Sequence, residues 1–284
     1  MPSLPTSVTK VLEICNNLQA SPADLNHVIS LDPVLVGRVL KLINSAYYGL
    51  GQPVTNLARA IIMLGINTVK NLALASAVVE HLSSKSGMGH ASPGHAVSGL
   101  NMEGFWRHSL CVGVAAKLLA KIRGIDAKLT EDYFTAGLLH DIGKIPLNAV
   151  LSKEYSLTIG IADKERIPLF RAEESSLGLD HCSSGAMISA AWKLDGPVGD
   201  VIIHHHNCSG CPKDHSDVVY SVVAANWFAS FSGTGFSGDR HIEAVAPYIW
   251  EALQVSADIF DVIEKSVAAE IEKAEIFLKI HTIR

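Results

Sequence analysis

Positive charge is scarce in this chain and never gathers. Its 23 Lys and Arg stand against 28 Asp and Glu, a net charge of -5 with histidine uncharged, and no Lys/Arg run or stripe offsets the deficit. Attachment to nucleic acid is therefore not expected. Charge of either sign is also sparse, at 18% against 48% hydrophobic residues, which excludes a disordered chain; 284 residues suffice for one large domain or two modest ones. The cysteines, Cys15, Cys111, Cys182, Cys208 and Cys211, are odd in number and show no framework spacing, so a reducing compartment is expected. No basic segment leads into a long apolar run after Met1-Pro2-Ser3-Leu4-Pro5, and the most apolar stretch, Ala58 to Val79, is broken by Asn67, Lys70 and Asn71. Neither a signal peptide nor a membrane span is expected, and the cytoplasm is the expected location. Period-two alternation is missing as well, so the chain reads as all-α.

What is present is helical periodicity punctuated by caps. Val8, Val11, Leu12 and Ile14 recur at helical spacing; Ser21-Pro22 and Asp32-Pro33 each offer an N-cap followed by proline. A helix through Val36, Val39, Leu40 and Ile43 stops near Gly49-Leu50-Gly51, and another runs from about Asn56 through Ala73. Asn44-Ser45-Ala46-Tyr47-Tyr48 is placed to end a helix, its polar side chains serving backbone groups at the turn. Between 83 and 104 glycine and serine dominate, and the two histidines there, His90 and His95, are expected to be solvated. Periodicity resumes at Phe105. Thr130 is expected to cap the next helix, with Glu131 and Asp132 at its positive end. Further helices are predicted over 168–177, 181–193, 198–206, 218–231, 244–253 and, as an amphipathic C-terminal helix, 256–280. Glu173 and Glu174 are expected to supply first-turn charge, and Cys111, Cys182, Trp106, Trp192 and Trp227 to lie in the core.

The chemistry gathers around Ala136-Gly137-Leu138-Leu139-His140-Asp141-Ile142-Gly143-Lys144, an apolar run that ends in an adjacent His-Asp pair. Imidazole nitrogen and carboxylate oxygen suit a first-row transition metal, and a carboxylate can bridge two ions. His108 upstream, then His181 and His204-His205-His206 downstream, continue an ordered series beside helical patterns. Cys208 and Cys211 form a C-x-x-C pair that could close a small zinc site with His206 and His215, although the second half of a zinc framework is missing.

Laid out this way, the residues resemble the HDOD domain, the HD-related output domain of bacterial signalling proteins. The resemblance is carried by Leu4-Pro5, Asp32-Pro33, Arg38-Val39-Leu40, Asn44-Ser45-Ala46, Ala60-Ile61 and Leu64-Gly65. It continues through Trp106-Arg107-His108-Ser109, the His140-Asp141 segment, Leu177-Gly178-Leu179-Asp180-His181, Trp192 and His205-His206, reaching about Ala229. It implies an HD-like helical bundle with an N-terminal HDOD helical layer: residues 1–82 as that layer, 83–104 as a linker, 105–232 as the HD-like subdomain and 233–284 as C-terminal helices. HD enzymes hold metal in a helical cup, and by resemblance the ligands are His108, His140, Asp141, His181, His205 and His206. His204 and Asn226 are additional candidates, and Glu173 and Glu174 are similar to an acidic position that reaches toward the metals. The centre implied is a mono- or dinuclear Fe, Mn, Zn or Ni site, with Lys144 placed to neutralise a phosphate.

Two departures bear on activity. Asn226 stands where the HD enzymes carry their last acidic ligand, and no tyrosine follows His206-Asn207 to make the GYP motif of the cyclic di-GMP phosphodiesterases. The resemblance thus implies a regulatory module that binds metal and acts through a small ligand or a signalling protein partner, without a membrane. A metal-dependent phosphohydrolase or phosphodiesterase is the alternative, and a nucleic-acid-binding regulator the least favoured reading.

Overall fold

The computed structural model describes residues 6–17, 20–85 and 99–279, and within them only helices, turns and irregular segments occur. Five helices form the N-terminal layer: α1 (Thr6–Asn16), α2 (Pro22–Ser30), α3 (Pro33–Ile43), α4 (Leu57–Leu64) and α5 (Ile66–Lys85). The caps read from the sequence set its corners. Ser21 Oγ accepts from Asp24 N while Asp24 Oδ2 accepts from Ser21 N, and Asp32 Oδ1 accepts from Val34 N and Leu35 N. Asn44 does what its turn position suggests: its amide donates to Leu40 O and Val54 O and accepts from Val54 N. The single helix predicted from Asn56 is two, because Gly65 takes φ 87°, a left-handed value that redirects the chain between α4 and α5.

The larger bundle follows with α6 (Met102–Ile122), α7 (Thr130–Leu139), α8 (Lys144–Val150), α9 (Ser152–Glu165), α10 (Leu169–Leu177), α11 (His181–Trp192), α12 (Pro197–His204) and α13 (Ser216–Phe231). Helices α8 and α9 occupy a stretch for which the periodicity predicts none; Pro146 lies within the first turn of α8, where its missing N–H is harmless. Thr130 is the first residue of α7 rather than its cap, its hydroxyl donating to Ala127 O. Three helices close the chain: α14 (Pro247–Leu253), α15 (Ile259–Ala274) and α16 (Ile276–Lys279), the last two separated at Glu275 where one continuous helix is predicted. His90 and His95 lie outside the described residues. None of the described helices is long and apolar enough to cross a membrane.

One continuous apolar core runs from Val11 to Phe277. The C-terminal end is pinned into it, Phe277 lying 5.7 Å from the Tyr47 ring of the N-terminal layer and 4.8 Å from Phe134 of α7. At the centre α6 and α7 pack glycine to glycine: a Cβ on Gly137 would come within 2.7 Å of Gly113 Cα and 2.8 Å of Gly113 N. That close approach holds His108 on α6 beside the end of α7.

Gly137→Ala is therefore expected to lower stability by about 2 kcal/mol through overpacking of two backbones. Gly160→Ala, in the middle of α9 with nothing within 4 Å of the new methyl group, should be neutral or stabilising by up to about 1 kcal/mol. Urea unfolding midpoints of the two variants check the pair, and equal shifts would contradict the glycine contact.

Candidate metal centre

Four chain segments bring six side chains to one point. His108 comes from α6, His140 and Asp141 from the end of α7, His181 from the first residue of α11, and His205 and His206 from just beyond α12. Donor atoms of His108, His140 and Asp141 lie within 4.8 Å of one another, as do those of His181, His205 and His206. Asp141 stands between the two groups: Oδ2 is 3.3 Å from His140 Nε2, while Oδ1 is 3.3 Å from His181 Nε2 and 3.5 Å from His205 Nε2. His206 is half-buried, and the other five are at most 3% exposed.

The ring orientations are fixed from behind. His140 Nδ1 donates to Gly137 O at 2.7 Å and His205 Nδ1 to Val201 O at 2.9 Å; a carbonyl only accepts, so the proton must sit on Nδ1. Glu173, fully buried, accepts from both the backbone N and Nδ1 of His181, at 2.8 and 2.6 Å, and Tyr155 Oη donates to its other oxygen. In each ring Nε2 is left facing inward as a lone pair. His181 Nε2 thus meets His205 Nε2 at 3.3 Å and His206 Nε2 at 3.1 Å, while His140 Nε2 and Asp141 Oδ1 are buried with no hydrogen-bond partner. Lone pairs crowded together repel unless a positive charge sits among them. Donors bound side by side to one first-row ion at about 2.1 Å lie about 3.0–3.4 Å apart, which is the spacing seen here.

Gly143 explains how Asp141 gets so close to α11. A Cβ there would lie 1.9 Å from His181 O, so the turn after the His-Asp pair can abut the start of α11 only with glycine.

The remaining sequence candidates are distributed around this centre. Asn226 Oδ1 lies 2.9 Å from His108 Nε2, a separation suited to a hydrogen bond or to two ligands of one ion. His204 is half-buried outside the cluster, its ring against Gly210. Lys144 is 2% exposed, its ammonium donating to Asp141 Oδ2 at 2.7 Å and to Ser237 Oγ at 3.3 Å. Glu173 is not first-turn charge but sits mid-helix in α10 and orients His181, on the side of the centre that the resemblance suggests for an acid; tertiary packing, not spacing, brings the two together. The Cys208/Cys211 zinc site is not assembled: His206 turns to His181, and His215 pairs with Asp200 at 2.5 Å. Cys182 is buried, with its sulfur 3.7 Å from His205 Nδ1. Trp106 and Trp192 are buried, whereas Trp227 lines a cavity of about 620 Å³ that reaches His205, His206 and Asn226.

Burial first, and then the nearby His140, push His108 down to about 3, and burial likewise lowers His140 and His206. Burial would raise Asp141, but His140 and Lys144 hold it well below the usual carboxylate range. His205 goes the other way, to about 10: burial opposes its charge, while Cys182 and Asp141 favour it. The raised pKa of His205 makes it the imidazole of the cluster that most favours a proton when no metal is bound.

The sign of the pH dependence follows. His108, His140 and His206 stay neutral when folded but take up protons near 6.5 when unfolded, so stability falls as pH drops below that value. His205, raised to about 10, contributes stability that is fully present below 6.5 and is lost as pH rises, so it offsets only the first part of the decline from the three lowered imidazoles. Metal-free protein should show a urea midpoint that declines between pH 6.5 and about 5, before most carboxylates titrate; a flat midpoint would contradict the buried neutral imidazoles.

Comparison with known proteins identifies the family and the fold. The HDOD domain family model matches residues 1–208, ending before Asn226. The crystal structure of an HDOD domain protein of unknown function from Geobacter sulfurreducens superposes with a TM-score of 0.75 at 25% identity, covering 97% of this chain and 92% of that one. A candidate phosphohydrolase from Shewanella amazonensis SB2B shares the fold at a TM-score of 0.69 and 24% identity, over 99% of this chain and 95% of that one. An uncharacterized protein of Treponema pallidum (strain Nichols) is 25% identical over 231 residues, 81% of this chain but 42% of its own length, so this chain spans less than half of that relative. Matched over 1–208, well beyond half its length, and sharing the helical fold, the chain belongs to the HDOD domain family.

Proposed function

We propose that this chain is a bacterial signal-transduction module that binds one or two transition-metal ions and acts through a small ligand or a protein partner rather than through turnover. The observation that carries the reading is the inward convergence of the Nε2 lone pairs of His140, His181 and His205 on a carboxylate whose two oxygens face different histidines. His108, His140, Asp141, His181, His205 and His206 would hold the metal, and an imidazole-rich set with one carboxylate suits Fe, Zn, Ni or Mn. A carboxylate with one oxygen toward each group favours two ions. When bound, such a centre can lower the pKa of a coordinated water and polarise a phosphoryl oxygen.

Two features weigh against hydrolysis. Asn226 brings no charge where the related enzymes have an acid, and Lys144, the candidate phosphate partner, is already engaged with Asp141 and Ser237. A phosphohydrolase remains the second reading because the cavity of about 620 Å³ beside His205 and His206 is large enough for a phosphoester and carries Lys213 in its lining.

Removing the carboxylate behind His181 tests metal binding. Glu173→Gln should weaken zinc affinity about 10–100-fold in a chelator competition while leaving helical circular dichroism unchanged; wild-type affinity would contradict a metal-ligating His181. For the metal-loaded protein, turnover of nitrophenyl phosphate and cyclic dinucleotides is expected to stay far below about 1 s⁻¹. An enzyme-like rate that disappears in His140→Ala/Asp141→Ala would establish the second reading instead.

A further inference from the structure

A second cavity, of about 500 Å³, lies at the N-terminal end of α7, where the N-terminal layer meets the larger bundle. Its walls are Tyr47, Tyr48 and the Ile62–Thr68 corner on one side, and Lys117, Lys121 and the 127–131 segment on the other. The volume is typical of small-molecule pockets.

The wall contains a buried ion pair. Lys117 and Glu131, 7% and 4% exposed, bridge each other; Tyr48 Oη donates to Glu131 at 3.1 Å, and the Lys117 ammonium lies 4.6 Å from the centre of the Tyr47 ring. Burying such a pair has a large desolvation cost, and apolar residues of the same volume commonly serve packing as well or better. Packing alone does not account for a pair that faces open volume. Lys121, one helical turn from Lys117, and Lys128 also line the cavity, both exposed and in no ion pair among the described residues. Three ammonium groups and one carboxylate therefore surround this space in a chain whose net charge is -5. At the mouth, Ile62 and Met63 are 83% and 45% exposed, an apolar lip beside the cationic wall.

We propose that this cavity binds a small organic anion, its apolar body resting on Ile62, Met63 and the Tyr47 ring and its acid group held by Lys121 and Lys128. The site goes beyond the metal reading and does not depend on it. It is placed to receive an input: α7 opens at the cavity with Thr130 and Glu131 and ends, about 15 Å away, at His140 and Asp141.

Anilinonaphthalene sulfonate, an aromatic anion, serves as the probe on the metal-free 284-residue chain. Fluorescence titration should reveal one saturable site, and amide chemical shifts on binding should cluster at 62–68 and 117–131. Lys121→Glu/Lys128→Glu, both surface changes, should weaken binding at least tenfold; Ala127→Trp, which fills the mouth from an exposed position, should do the same. Lys213→Glu, in the other cavity, should leave binding unchanged. Wild-type affinity in the lysine double variant overturns the proposal, as do shifts confined to 205–249 or unsaturable binding spread over the surface.

Discussion

One buried carboxylate sets the terms for the centre of this fold. Asp141 is 1% exposed and faces imidazoles with one oxygen and the Lys144 ammonium and another imidazole with the other. A charge so placed is tolerable only while cations surround it. Lys144 supplies one, and His205, whose pKa the site raises, is the imidazole that most favours a proton when no metal is bound. A metal ion competes with that proton for the same lone pairs, so metal affinity must fall as the solution becomes more acid.

The bundle is built to keep those groups within reach. Gly113 against Gly137 draws α6 onto α7, and Gly143 lets the His-Asp turn touch the start of α11. Behind them, Glu173 and the carbonyls of Gly137 and Val201 turn three rings inward. A second charged cavity lies at the far end of α7, so one short helix joins two polar places in the interior. This arrangement suits a module that converts binding at one place into a change at another.

Much of the fold was legible because its local signals agree. Ser21, Asp32 and Asn56 announce helix starts that the structure keeps, and the apolar spacing marks most helices. The errors arise at single residues where the local pattern reads two ways. Pro146 masked α8, Gly65 split one predicted helix, and Thr130 yielded the capping position to Leu129. At the centre, the ordered His series named side chains that do converge, because ligands must be histidine or carboxylate whatever the packing. Glu173 was marked by the resemblance alone, as one of two acids near the centre, while Tyr155 and Ser237 escaped notice: they act from α9 and a loop, and nothing in their spacing links them to His181 or Lys144. The C-x-x-C pair shows the converse, a recognisable spacing whose partners, His206 and His215, are engaged elsewhere.

The central claim is that the buried histidines and Asp141 form a metal centre. Elemental analysis of untagged protein, wild type beside His140→Ala/Asp141→Ala, tests it most directly. The account predicts one or two equivalents of a first-row transition metal in the wild type and their loss in a variant that remains helical. Metal-free wild type that stays empty after incubation with zinc, iron or manganese, or equal metal in both proteins, would contradict it.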